Sequence, residues 1–191
     1  PLRDIQSVGV VGGGTMGGGI AMSFANAGIP VTLIEINEEA LERGLAIIER
    51  NYAGSVQRGK LGEDEATECR RRIKGATDYA ALPDVDLVVE AVFEDPELKK
   101  EIFAKLGAAC KPGAILATNT SYQDVNEIAA ATDRPGDVLG MHFFSPAHIM
   151  KLLEVVRGDE LDDIRLAGAR IDLDFADVGP GREREVRRIV E

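Results

Sequence analysis

The apolar positions of this chain fall into short unbroken runs separated by longer stretches of helical spacing. Val8, Val10 and Val11 dominate the run 7–11. It reads as a strand buried on both faces, as in a parallel sheet. A glycine cluster at 12–14 and 17–19 follows. Residues 20–27 are small and apolar like a helix, and Gly28 stops them. Residues 30–35 form the next strand. Leu41, Leu45 and Ile48 share one side of a helix over 38–58. The polar stretch 58–74 reads as helix–turn–helix. Three more strands are expected at 87–90, 115–118 and 138–142, with helices at about 97–110 and 124–131 between them, and a last strand at 151–156. Strands alternating with helices specify a parallel α/β sheet. No internal repeat or low-complexity segment is present.

The pattern weakens after Arg157. Residues 158–191 hold 10 acids and little periodicity. Residues 171–175 alternate like an exposed strand, and 183–191 are expected to be a short amphipathic helix. This segment is too short for a second core.

The whole chain, at 191 residues, suits one domain and a little more. A formal charge of −11 argues against nucleic acid or an anionic membrane as partner. No apolar run approaches the roughly 20 residues of a membrane helix. The opening residues have no apolar signal-peptide core. Cys69 and Cys110 are the only cysteines, and there are 2 histidines. Neither a disulfide scaffold nor a Cys/His metal site is expected, and the composition suits a reducing, cytoplasmic setting.

Gly12, Gly14 and Gly17 make G-x-G-x-x-G, with Thr15 and Met16 inside it, between an expected strand and an expected helix. That context points to a dinucleotide phosphate turn. Gly12 permits the tight turn, Gly14 lets the backbone approach a pyrophosphate, and Gly17 lets the helix pack on the strand. Glu35 closes the second strand, where a carboxylate accepts from a ribose 2′-OH and repels a 2′-phosphate. NAD is therefore expected rather than NADP. The alternative is a structural glycine turn beside a solvated acid.

His142 ends a strand, at the sheet end where ligands sit in open α/β folds. Glu154 interrupts an apolar run, and a buried carboxylate is costly unless paired. Paired with His142, it would fix the tautomer of an oriented general base. Asn119, Thr120 and Ser121 follow another strand end and offer amide and hydroxyl groups to a substrate oxygen.

These motifs taken in order resemble the NAD-binding domain of the L-3-hydroxyacyl-CoA dehydrogenases, most of all that of bifunctional enoyl-CoA hydratase/dehydrogenase chains. The resemblance rests on 8–17, on 88–94 (VVEAVFE), on 117–121 (ATNTS), and on 142–146 (HFFSP) with 150–156 (MKLLEVV). It covers roughly 5–157. It implies a Rossmann-type doubly wound, mainly parallel sheet over 1–157, with a helix–turn–helix insertion at about 45–72. It implies oxidation of a (3S)-hydroxyacyl-CoA, with His142 as base, Glu154 orienting it and Ser121 on the substrate oxygen. Gly12, Gly14, Thr15, Met16, Gly17, Glu35, Glu94, Lys99, Asn119, Ser121 and Ser145 would contact NAD, with Glu94 and Lys99 at the ribose. Arg58 or Lys60 would meet the CoA phosphates or simply be solvated, and His148 is expected on a surface loop.

Two departures stand out. Ser145 occupies the place of the family's usual Asn, with a shorter reach. Residues 158–191 do not resemble the start of the family's helical C-terminal domain. They are expected to be a divergent tail in its place, of truncated or frame-shifted origin. Because that domain makes the dimer interface, homo-oligomerisation is left open. Two rivals remain: a non-catalytic NAD-binding remnant, and a dehydrogenase of a non-CoA hydroxyacid.

Overall fold

The computed structural model describes residues 2–150, 152–159, 165–167 and 184–188. The first half of the chain runs β1 (Leu2–Asp4), β2 (Val8–Val11), α1 (Thr15–Asn26), β3 (Val31–Ile34), α2 (Glu38–Gln57), α3 (Glu63–Arg71) and β4 (Ile73–Ala76). The second half continues with β5 (Leu87–Glu90), α4 (Pro96–Ala109), β6 (Ile115–Thr118), α5 (Val125–Ala129), β7 (Val138–Phe143), β8 (Leu152–Arg157), β9 (Arg165–Ala167) and β10 (Arg184–Arg188).

Eight strands form one sheet in the order β10-β8-β7-β6-β5-β2-β3-β4. Neighbours from β7 to β4 pair in parallel, and β8 and β10 add antiparallel ladders at one edge. β1 and β9 pair separately. The chain leaves β2 for β3 on one side and later returns to β5 on the other. The strand order thus reverses at β2, and the carboxyl ends of β2 and β5 flank the crevice where such sheets bind ligands.

Both faces of the sheet are buried. Val8, Val10, Leu87, Val89, Ile115 and Ala117 point into a core shared with Ile20, Phe24 and Ile48. The alternate positions Val11, Val88 and Leu116 point into a second core with Phe103, Leu106 and Ile128. This two-sided burial is why the strands read as unbroken apolar runs.

Three details differ from the sequence expectation. α1 begins at Thr15, so Gly17, Gly18 and Gly19 lie within the helix. Tertiary packing overrides their weak helix propensity: a Cβ on Gly17 would sit 1.8 Å from the Gly12 carbonyl oxygen. The polar stretch after α2 contains one helix, α3, and then strand β4. As an edge strand, β4 buries only Ile73 fully, so it carries no strand-like pattern. The helix expected over 183–191 is instead strand β10 at 184–188, laid antiparallel along β8 with Arg184 opposite Val156. The edge of β8 supplies backbone partners that a helix would leave unused. The exposed strand expected at 171–175 lies outside the described residues.

Candidate functional site

The phosphate turn is built as its glycines require. Gly12 has φ +97°, and a Cβ there would come within 2.8 Å of the Ala91 carbonyl oxygen at the end of β5. Gly14 caps α1 without a side-chain bond, and no acid lies in the first turn. The amide groups and positive dipole end of α1 therefore remain available to an anion. A Cβ on Gly14 would meet nothing within 4 Å. It would project into open space directly before the helix, the volume a pyrophosphate needs. Thr15 is exposed and Met16 half-buried at the same end.

Glu35 follows β3 and turns its carboxylate back onto this turn. Its Oε1 accepts from the Gly13 amide at 2.6 Å, and its Oε2 accepts from the Ile36 amide at 3.1 Å. Each oxygen keeps a lone pair for a ribose hydroxyl. The residues present thus fit the adenosine and pyrophosphate parts of NAD: an open approach at Gly14, an uncapped helix end and a carboxylate beside them.

His142 and Glu154 occupy directly opposed positions of the β7–β8 ladder. Opposed side chains lie on the same face of the sheet, and His142 Nδ1 is 3.2 Å from Glu154 Oε2. The His142 and Glu154 side chains keep 21% and 14% of their exposure. The Phe144 ring packs against the imidazole, with centroids 4.7 Å apart. Asn119 joins two strand ends: its amide donates to the Glu90 carbonyl at 2.8 Å, and its Oδ1 accepts from the Phe143 amide at 2.8 Å. Ser121 and Ser145 are exposed in the loops after β6 and β7, on the same end of the sheet.

Glu94 and Lys99 belong to a larger cluster. Lys99 and Glu90 are both wholly buried, with Nζ at 2.7 and 2.9 Å from the two Glu90 oxygens. Glu90 also accepts from the Val92 amide and the Thr118 hydroxyl, at 2.8 and 2.7 Å. Lys99 Nζ lies 3.8 Å from Glu94 Oε2, which accepts from Thr120 Oγ1 and Gln123 Nε2 at 2.9 Å each. Lys99, expected at the ribose, is thus enclosed by carboxylates with no solvent-exposed face. Sequence reasoning missed Glu90, Thr118 and Gln123, and it offered Thr120 to a substrate oxygen where its hydroxyl instead donates to Glu94. The signal available was the carboxylate that ends the otherwise apolar strand 87–90, which demands a buried partner.

α2 and α3 follow one another across a short turn, at which Arg58 and Lys60 are exposed. His148 lies in the loop after β7 as expected, but it is half-buried rather than fully exposed. Its Nδ1 is buried without a partner among the described residues. The loop after β7 folds onto α1, where Ser23 Oγ donates to the Ala147 carbonyl at 2.9 Å. Burial, and after it the Arg58 charge, hold the imidazole below its usual range. Among the described residues, no group of three or more His, Cys, Asp or Glu could hold a metal ion, and no helix is long and apolar enough to cross a membrane.

Comparison with known proteins follows the same lines. The family described as "3-hydroxyacyl-CoA dehydrogenase, NAD binding domain" matches residues 7–170. The peroxisomal bifunctional enzyme of Cavia porcellus is 51% identical over 156 residues, 81% of this chain and 21% of that one. The peroxisomal fatty acid beta-oxidation multifunctional protein of Oryza sativa subsp. japonica is 46% identical over 158 residues, 83% of this chain and 22% of that one. The chain thus spans about a fifth of the length of these curated relatives. Among solved structures, 3-hydroxybutyryl-CoA dehydrogenase from Escherichia coli K12 superposes with a TM-score of 0.81 at 42% identity, covering 84% of this chain and 34% of that one. The cytoplasmic expectation is corrected: these curated relatives are named as peroxisomal proteins, not cytoplasmic ones. Composition and cysteine content report on redox setting and do not name a compartment. The chain belongs to the NAD-binding domain family of the NAD-dependent 3-hydroxyacyl-CoA dehydrogenases.

Proposed function

We propose that this chain is the cofactor-binding part of an enzyme that oxidises (3S)-hydroxyacyl-CoA to 3-oxoacyl-CoA in fatty-acid β-oxidation. The observation that carries the reading is the His142–Glu154 pair at the carboxyl end of the sheet that also bears the glycine turn. Glu154 holds Nδ1 and turns Nε2 outward as a proton acceptor. As the substrate C3–OH proton passes to His142 Nε2, the O–H electron pair forms the carbonyl and the C3–H pair leaves as hydride. NAD, when bound, supplies the hydride acceptor. Ser121, with Asn119 nearby, hydrogen-bonds the substrate oxygen. Gly12, Gly14, Thr15, Met16 and Gly17 hold the pyrophosphate, Glu35 the adenosine ribose, and Glu94, Asn119, Ser121 and Ser145 the nicotinamide half. The cofactor unit is 1–157, and 158–191 is a divergent tail.

A second reading has its own support. The chain spans about a fifth of its curated relatives, so only part of the whole protein's machinery lies within it. Alone it binds NADH while turning over acyl-CoA slowly, because one wall of a cleft does not exclude water or fix the reacting atoms. NADH titration followed by acetoacetyl-CoA reduction separates the readings. Micromolar NADH binding, about −8 kcal/mol, with reduction far below about 10 s⁻¹ supports the partial unit. An ordinary rate supports a self-sufficient enzyme. No NADH binding overturns both.

A further inference from the structure

The geometry points to Glu90 as a positioning residue that acts, through Lys99, on Glu94 and the loops beside the crevice. The inference rests on the reading of that crevice as the NAD site. Glu90 is the last residue of β5, and its neighbour Ala91 packs on Gly12 of the phosphate turn. Its carboxylate ties three elements together. It receives the Val92 amide of the β5 loop, the Thr118 hydroxyl at the end of β6, and the Lys99 ammonium from α4. Lys99 then reaches past it toward Glu94, which gathers Thr120 and Gln123 from the β6 loop. That loop also carries Ser121.

A buried ion pair is a poor source of stability, since an apolar pair of similar volume often serves as well. Its geometry here does something an apolar pair does not. Glu94 is half-exposed and would otherwise sample many rotamers, yet a positive charge from below and two donors from beside hold it in one place. The cluster fixes the spacing between the loops after β5 and β6 before any ligand arrives.

The test uses the full chain with Glu90→Gln/Lys99→Met, which removes both charges together and leaves no buried ion alone. The side-chain amide NMR signals of Gln123 report the position of Glu94 without any ligand. They should move in the double variant toward their positions in Glu94→Gln, while the melting temperature stays near the parent's. The NADH Kd should rise roughly tenfold, within the range for coupled neighbours, and that rise should vanish when Glu94 is already Gln. Gln123 signals left at their parental positions in a folded double variant would overturn the inference. Thr118→Val, which is isosteric and breaks one tie, should give the same change at smaller amplitude; unchanged signals there would overturn it as well. If the parent chain binds no NADH, the NAD reading fails, and the ligand-free Gln123 signals still decide the positioning role.

Discussion

His142 and Glu154 face each other across one rung of an antiparallel ladder, with Nδ1 3.2 Å from the carboxylate. A rung of a sheet is among the stiffest ways to hold two side chains at a fixed separation. Orientation of the imidazole is therefore a property of the β7–β8 register rather than of a loop.

This arrangement separates base from orienter. His142→Gln should reduce single-turnover hydride transfer by roughly 10²–10⁴-fold, the usual worth of a general base, with NADH affinity nearly intact. Glu154→Gln should cost less, since Gln at the same rung still accepts from the ring. Stopped-flow NADH oxidation by acetoacetyl-CoA measures both. Parental rates in His142→Gln would remove this residue from the mechanism.

The glycines of the phosphate turn should separate folding from binding. Gly14→Ala adds a methyl group to open space at a compatible φ of −66°. Its stability should stay within about 0.5 kcal/mol of the parent, while NADH binding weakens because the methyl occupies the pyrophosphate approach. Gly17→Ala would place a methyl group 1.8 Å from the Gly12 carbonyl oxygen. Overpacking of this kind costs about 1–3 kcal/mol or more. Urea unfolding and NADH titration of both variants check the contrast.

Glu35 should set the preference between cofactors. Glu35→Ala should weaken NADH binding and narrow its advantage over NADPH, a charged hydrogen bond being worth about 1.5–3 kcal/mol. Parallel fluorescence titrations with the two dinucleotides read this out. An unchanged ratio would place the ribose elsewhere.

A fourth expectation concerns pH and lies at the opposite end of the sheet. Asp86 accepts from the Gln6 and Ser7 amides and pairs with Lys111 at 2.6 Å. Burial alone would raise its carboxyl, but Lys111 and the two amides outweigh burial and hold it below the usual value of 3.8. A depressed carboxyl stabilises the fold above its unfolded pKa, and that contribution is lost as pH falls through the folded value. Asp86→Asn should therefore lower the melting temperature at pH 7, with the difference shrinking below about pH 4. A pH-independent difference would show that charge is not the cause.

The central strands are legible because Leu87–Glu90 and Ile115–Thr118 are buried on both faces and carry no interruption. The contact of His142 with Glu154 is legible for a related reason: a lone carboxylate within an apolar run needs a partner. β4 is not legible, since Lys74 and Gly75 break its pattern and only its pairing with β3 makes it a strand. The early start of α1 is hidden by glycines whose worth lies in a close contact with Gly12, which no propensity records. The Glu90–Lys99 pair is hidden differently. Strand and helix are consecutive, yet the ammonium meets the carboxylate only after α4 docks on the sheet. β10 depends wholly on an available edge of β8, so its own residues do not announce it.

The bond from the Gly13 amide to Glu35 has an evolutionary consequence. The acid we propose for the ribose is also the acceptor that anchors the glycine turn, so in that reading one side chain serves selectivity and scaffold together. A lineage drifting toward the phosphorylated dinucleotide cannot simply discard this carboxylate. The Gly13 amide would lose its acceptor at the same step, and the turn would loosen as the new ligand arrived. Such a switch requires a coordinated pair of changes, one to welcome the extra phosphate and another to hold the turn, and this makes the present preference hard to reverse by single mutations.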